Sequence, residues 1–365
     1  MEGRRVLVTK KNIIFFFVIS LLGWNPELSE AQMAPALFIF GDSQVDVGNN
    51  NHLLLSIAKA DFPHNGIDFA RQQPTGRFSN GKNAADFLAK KIGLSSSPAY
   101  LSLSDETHAS YMNGVNFASG GSGILNSTGY YGKSIRLTEQ IHNFFKVHQV
   151  MVQKMGSNGV EKHFSKSLFV IVTGSNDILD CFESESKDET GKPRELVDLM
   201  INYMKSHVKK LYEFGARKVL VAGVGAVGCV PRLRLRSKTH ECDEEVNSWA
   251  AKYNEQLKAT LVELKSELQD LNYSFFDLHA IMQNIIRNPT AHGFKEVKAA
   301  CCGIGVLRAK IPCLPISLYC PNRKNHVFWD LYHPTEAMAR IVADAIFDGP
   351  SEYSVPMNVR QLVLA

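Results

Sequence analysis

The sequence predicts an α/β protein whose parallel sheet of about five strands is covered by helices on both faces. Two patterns carry that reading. Short apolar runs bounded by Gly, Asn, Asp or Ser recur along the chain at 37–40, 114–118, 168–173, 218–222 and 273–277, as expected of strands buried on both sides. Between them lie longer segments of helical period, at 82–92, 137–154, 195–214, 243–269 and 279–287, with a last one at 335–347. Strands that alternate with helices in this way build a parallel sheet, and its ligand site is expected beyond the carboxyl ends of the strands. The composition agrees: of 365 residues, 45% are hydrophobic and 21% charged, enough apolar material for a sizeable core.

Residues 1–31 stand apart from this alternation. Arg4, Arg5, Lys10 and Lys11 precede an apolar stretch at 13–24, and small residues follow at Ser29 and Ala31. That order is the order of a secretory signal peptide. The stretch is shorter than the roughly 20 residues that span a bilayer, so a membrane anchor is the weaker reading. The expected organisation is a leader at 1–31 followed by one domain at 32–365, secreted to the extracellular space (apoplast or cell wall), with the vacuole as the other destination. A formal net charge of +4 is too small to imply a nucleic-acid partner. The cluster Arg232, Arg234, Arg236 and Lys238 is expected to be a solvated edge.

Export changes how the seven cysteines are read, because an oxidising compartment favours disulfides over zinc. Cys229 and Cys242 bracket a basic loop and are expected to pair. Cys301, Cys302, Cys313 and Cys320 are expected to form two bridges among themselves, in a connectivity the spacing leaves open. Cys181 is then the odd residue. Sequons at Asn126 and Asn272 are candidates for glycosylation, the second opening a predicted strand.

The chemistry-bearing residues fall where the fold would place a site. Ser43 follows the first strand directly, Ser119-Gly120-Gly121 follows the second, and Gly174-Ser175-Asn176-Asp177 follows the third. Far downstream, Asp330 and His333 are three residues apart, close enough for the acid to orient the base. Ser, His and Asp are the parts of a nucleophilic triad. Acyl transfer also needs donors aimed at an oxyanion, and the N–H of Ser43, the N–H of Gly121 and the amide of Asn176 are the candidates. Each motif alone reads equally well as a turn or a helix cap. Their convergence on three strand ends points to a serine hydrolase. Gly223-Val-Gly225-Ala-Val-Gly228 matches a dinucleotide-binding fingerprint, but Cys229-Val-Pro231 follows at once where a phosphate-binding helix should begin. It is read as a loop pinned by Cys229.

These residues resemble the plant-type GDSL esterase/lipases of the SGNH hydrolases, over about residues 36–348. The resemblance is carried by Phe38-Ile-Phe-Gly-Asp-Ser43, Asp46-Val-Gly-Asn-Asn50, Pro74-Thr-Gly-Arg-Phe-Ser-Asn-Gly81, Gly114-Val-Asn-Phe-Ala-Ser-Gly-Gly121, Thr173-Gly-Ser-Asn-Asp177, Gly228-Cys-Val-Pro231, Ala300-Cys-Cys-Gly303 and Phe328-Trp-Asp-x-x-His-Pro334. It implies a three-layer, flavodoxin-like α/β sandwich with no metal or organic cofactor. It implies Ser43 as nucleophile, Asp330 and His333 as its partners, and an oxyanion hole from Ser43, Gly121 and Asn176. The activity implied is hydrolysis of a small-molecule or lipid ester through an acyl-enzyme. An acyltransferase using the same acyl-enzyme and a catalytically silent binding glycoprotein are the other two readings. Gln44 departs from the family's leucine and is expected to alter packing or pocket polarity only. The run Asn49-Asn50-Asn51 has no assigned role beyond a turn or cap.

Overall fold

A computed structural model describes residues 32–103, 108–129, 132–183 and 193–365; the leader expected at 1–31 lies outside them. Four strands form the centre: β1 (Leu37–Gly41), β2 (Leu168–Val172), β3 (Lys218–Ala222) and β4 (Asn272–Phe276). They are parallel and in phase, with Leu37 opposite Leu168, Leu168 opposite Lys218 and Lys218 opposite Asn272. All five residues of β1 are buried, which is why its run is apolar at successive positions rather than alternately. Because the register does not slip, Gly41, Val172, Ala222 and Phe276 end in one row.

The strand expected at 114–118 is present in reduced form. Phe117 and Ser119 donate to the carbonyls of Ile39 and Gly41, and the Ile39 N–H donates to Val115 at 3.0 Å. Only Asn116 is bridged, to Ile39 on one side and Ala99 on the other. With this segment, the order along the sheet follows the flavodoxin-like pattern in which the second strand lies outside the first. The far edge is β9 (Ser354–Val355), antiparallel to β4. Two residues leave no periodicity to read, so this edge was not expected.

The helices match the predicted segments closely: α1 (Ala84–Lys91), α2 (Leu137–Lys166), α4 (Pro193–Glu213), α6 (Glu244–Glu267), α7 (Leu278–Arg287) and α8 (Glu336–Asp348). The segment expected to end at 154 instead continues to Lys166, past an interruption at Gly156 with φ of 71° and ψ of 162°. Three short helices were not expected: α3 (Ser175–Glu183), α5 (Pro231–Arg234) and α9 (Val359–Leu364). Right-handed crossovers that run in opposite directions from β1 place their helices on opposite faces. Accordingly α2 packs on α4 and α4 on α6, while α1 packs on α8 and α8 on α9. Under α2 the Phe38 ring meets Phe144, Phe164 and Phe169 at centroid distances of 5.1–5.3 Å.

Beyond α7 the chain builds a small region of its own. Strand β5 (Glu296–Ala300) pairs in parallel with β8 (His326–Phe328), and β6 (Cys302–Gly303) pairs with β7 (Leu318–Tyr319). The expected bridges are there: Cys229–Cys242, and within the second cluster Cys301–Cys320 and Cys302–Cys313. Cys181 takes no part in them. The four clustered cysteines pack around buried Trp329 as a second core. Cys301 and Cys302 donate from their backbones to Phe328 and Trp329 at 3.0 and 2.7 Å, so the bridges steady the strand that leads into Asp330. The double substitution Cys302→Ser/Cys313→Ser is expected to lower stability by about 2–4 kcal/mol. Denaturant titration of variant and wild type measures the loss.

Candidate active site

The row of strand ends sets the site. At the end of β1, Gly41 is held from both sides by Gln140 of α2, whose Oε1 accepts the Gly41 N–H and whose Nε2 donates to the Gly41 carbonyl, both at 2.8 Å. A Cβ at Gly41 would stand 2.1 Å from the Val172 carbonyl, so only glycine lets the chain turn this close to β2. Ser43 follows two residues later. Its Oγ lies 2.7 Å from His333 Nε2, and His333 Nδ1 lies 2.8 Å from both oxygens of Asp330.

Asp330 and His333 sit in a tight loop between β8 and α8. Asp330 Oδ1 accepts the N–H of Tyr332 and of His333, and Trp329 N–H donates to the His333 carbonyl at 2.8 Å. Trp329 is tied to Asn65 through its Nε1 at 2.9 Å. The Phe78 ring lies 4.9 Å from the His333 ring. Burial pushes the Asp330 carboxyl up, but the His333 charge, its hydrogen bond and the two backbone donors outweigh burial and hold it below the usual carboxylate value. Asp330 therefore stays an anion beside His333.

Opposite them stand the donors. Gly121 has φ +78°, and a Cβ there would meet only Ala58 at 3.8 Å, so its backbone faces open space. Among the described residues, the N–H groups of Ser43 and Gly121 have no acceptor within the protein. The Asn176 amide at the start of α3 donates to the Ser122 carbonyl at 2.8 Å, which uses one of its two hydrogens. Ser43, Gly121, Asn176, Asp330 and His333 all line a single cavity of 580 Å³. Its wall is largely apolar, with Phe62, Leu179, Val227, Leu278, Met282 and Val342 among its residues. Gln44 lines it too, next to Ser43.

The loop carrying Gly121 is clamped by residues that had no assigned role. Asn49 Nδ2 donates to the carbonyls of Asn116 and Ala118, and Asn50 Nδ2 donates to those of Gly120 and Ala58. Asp46 accepts the N–H of Gly48, Asn49 and Gly120. The run does form a tight turn, a 3-10 helix at Asn49–His52, and within it Asn49 and Asn50 are buried cross-loop clamps. Asp177 does the same for the next loop, accepting from Ile124, Leu125 and Thr128 Oγ1. Gln140 gave no local signal, since it lies 99 residues from the Gly41 it holds.

Other predicted features lie elsewhere or differ. Asn126 is exposed, whereas Asn272 is half-buried at the opposite, amino-terminal end of the sheet. The glycine-rich loop at 223–228 is pinned by Cys229 as expected and lends Gly225 and Val227 to the cavity wall. Pro231, however, occupies the first turn of α5 rather than preventing a helix. The arginine cluster is also not a solvated edge throughout. Arg234 is buried, donating to the carbonyls of Cys229 and His240, while Arg232 pairs with Glu183 and Arg236 with Asp243.

A fold whose strand ends bring a serine, a histidine and a largely enclosed carboxylate into one chain of hydrogen bonds is of the kind found in the serine hydrolases. Comparison with known proteins assigns the chain among them. The sequence profile of the GDSL-like lipase/acylhydrolase family matches residues 37–346. Three GDSL esterase/lipases of Arabidopsis thaliana are 44%, 39% and 38% identical; they match 96%, 87% and 94% of this chain, and 97%, 90% and 95% of their own lengths. The chain belongs to the GDSL esterase/lipase family. A solved GDSL-like lipase of Parabacteroides merdae is a far weaker likeness, with 11% identity and a TM-score of 0.37 over 85% of this chain and 93% of that one.

Asp42, next to Ser43, is buried with Oδ1 accepting the Gln44 N–H and Oδ2 unpartnered among the described residues. Burial pushes its carboxyl up to about 7, the Gln44 N–H and the His333 charge lowering it only in part. A carboxyl raised on folding binds its proton more tightly in the native state, so stability falls as pH rises from the unfolded value towards 7. Asp42→Asn removes that dependence. The melting temperature of the variant minus that of wild type is expected to become steadily more positive between about pH 4 and pH 7. A difference that is flat over this range, measured by calorimetry, would refute it.

Proposed function

We propose that the protein is a secreted carboxylic-ester hydrolase working through an acyl-enzyme on Ser43. The observation that carries this reading is the unbroken chain from Ser43 Oγ to His333 Nε2 at 2.7 Å and from His333 Nδ1 to Asp330 at 2.8 Å. In the first half-reaction His333 takes the Ser43 proton as Oγ attacks the ester carbonyl carbon. The N–H groups of Ser43 and Gly121 and the remaining Asn176 hydrogen receive the oxyanion. Collapse of the tetrahedral intermediate breaks the bond to the alcohol, which leaves with the proton held by His333. Water then attacks the acyl-Ser43, giving its proton to His333, and the carboxylic acid leaves as Ser43 is restored. The Asp330 anion holds the Nδ1–H and stabilises the imidazolium in both halves.

The domain reading is a leader at 1–31 and one hydrolase domain at 32–365. Three disulfides support export to an oxidising compartment, and among the described residues no helix is long and apolar enough to cross a membrane. Exposure favours Asn126 over Asn272 as the glycosylated sequon.

Ser43→Ala is expected to abolish labelling by a fluorophosphonate and nearly all ester hydrolysis while the protein stays folded, because only one oxygen is lost. Labelling that persists in the folded variant would sink the assignment. Asn176→Ala is expected to lower kcat by roughly two to three orders of magnitude, the cost of one oxyanion donor. Steady-state kinetics that find only KM changed would instead assign Asn176 to uniform substrate binding.

A further inference from the structure

Beside the cavity stand apolar side chains that no other described residue covers. Among the described residues, the five most exposed large hydrophobic side chains are Leu54, Ile316, Leu318, Leu55 and Ile57, between 72% and 96% exposed. They lie in two segments, 54–57 and 316–318, the second ending in β7, and the loops that carry these segments reach the same cavity: Ile57, Ala58 and Lys59 line it on the first, Lys310, Pro312 and Leu314 on the second. A scattered exposed leucine is ordinary, whereas apolar tips gathered around a binding cavity mark an interaction surface.

The loops are held in this exposed state. Cys302–Cys313 and Cys301–Cys320 brace the second loop, and Asn50 Nδ2 fixes the first through the Ala58 carbonyl at 2.7 Å. The two sides are stitched together by Arg323 on Asp68 at 2.6 Å and by the His64 ring 4.8 Å from that of Tyr319. The tips are thus presented on rigid backbone.

Charge says what they face. No acidic residue occurs between Asp46 and Asp61, or between Glu296 and Asp330, while the second interval holds Lys298, Arg308, Lys310, Arg323 and Lys324. Lys298 and Arg323 are paired with Glu241 and Asp68. Lys59, Arg308, Lys310 and Lys324 have no carboxylate partner among the described residues. A second copy of the chain would set this cationic rim against itself, since a two-fold interface uses the same patch twice. Lys59 and Lys310 line the cavity on the same two segments as the apolar tips, and apolar tips beside cations without a carboxylate partner fit an anionic bilayer surface, with tips at the acyl boundary and cations among the headgroups.

We propose that this rim docks the protein on an anionic lipid surface with the cavity mouth facing the bilayer. Docking needs no turnover; only the further step, entry of an ester from the bilayer into the cavity, rests on the hydrolase reading above. The test uses the full chain with Ser43→Ala, so that lipids are not consumed, sedimented with vesicles of phosphatidylcholine alone or mixed with phosphatidylglycerol. Binding to the mixed vesicles, weakened by salt and by omission of phosphatidylglycerol, is expected. Adding Leu54→Asp or Ile316→Asp should weaken it roughly tenfold each, and Lys310→Glu should weaken it on anionic vesicles alone. With Ser43 intact, Leu54→Asp and Ile316→Asp should leave kcat/KM on a soluble short-chain ester unchanged, which also reports correct folding. Vesicle binding that these substitutions do not alter would overturn the proposal. So would a dimer in sedimentation velocity that the same substitutions abolish. Absence of soluble-ester hydrolysis in the wild type would count against the hydrolase reading, while the vesicle result would still decide the docking.

Discussion

The in-phase pairing of β1, β2, β3 and β4 fixes where chemistry can occur. Gly41, Val172, Ala222 and Phe276 end level, so the loops that follow emerge side by side and their side chains meet over one cavity. A one-residue slip of β2 against β1 would exchange the faces on which alternate residues lie and carry Asn176 away from Ser43. Register in turn depends on burial, since β1 is enclosed on both faces and Phe38 has its place among three rings of α2 and β2. The core thus sets the position of groups it never touches.

Strand ends place the loops, but they do not shape them. That is done by a set of buried polar side chains, each satisfying backbone groups that the irregular loops would otherwise leave unpaired: Asp46, Asn49, Asn50, Gln140 and Asp177. Burying carboxylates for this purpose has a cost, visible in Asp46, whose carboxyl burial raises to about 6 against the backbone donors that oppose the rise. Asp330 is the contrasting case. It too is largely enclosed, though its side chain keeps 15% of its exposure, and the charge of His333 and the donors around it keep it ionised. Enclosed carboxyls therefore shift in opposite directions, and a cationic partner within reach is what lowers Asp330.

What was legible in the sequence follows from the same physics. Long amphipathic segments and continuous apolar runs announce α2, α6 and the central strands because their burial is repeated over many residues. The edges do not, since β9 is two residues long and the segment at 114–118 is bridged at Asn116 alone. The residues at the site were legible where they sit at strand ends or close together, as Ser43 and the Asp330–His333 pair do. Gln140 and Asn50 were not, because each acts on backbone far away in sequence, and an amide that clamps a distant carbonyl has no local spacing to reveal it. Arg234 deceived for a related reason. Its neighbours alternate like a solvated edge, but a disulfide between Cys229 and Cys242 folds the loop over it and supplies buried carbonyls to its guanidinium.

The region beyond β5 is built by another rule. It lacks the two-sided helical cover of the main sheet, and its core is five residues, four of them cysteines packed on Trp329. So few apolar contacts cannot hold a strand in place by burial alone, and covalent bridges take over, as they do in small secreted domains. This has a consequence at the site. Trp329 precedes Asp330 directly, and its backbone is held from one side by Cys302 and from the other by His333, so the disulfide core and the Asp330–His333 loop are a single mechanical unit. The same bridges leave the outer side chains of that region, Ile316 and Leu318, exposed without loosening the loop. Covalent bracing frees them from any duty in the core, which is the condition under which a surface can keep apolar groups for something outside the chain.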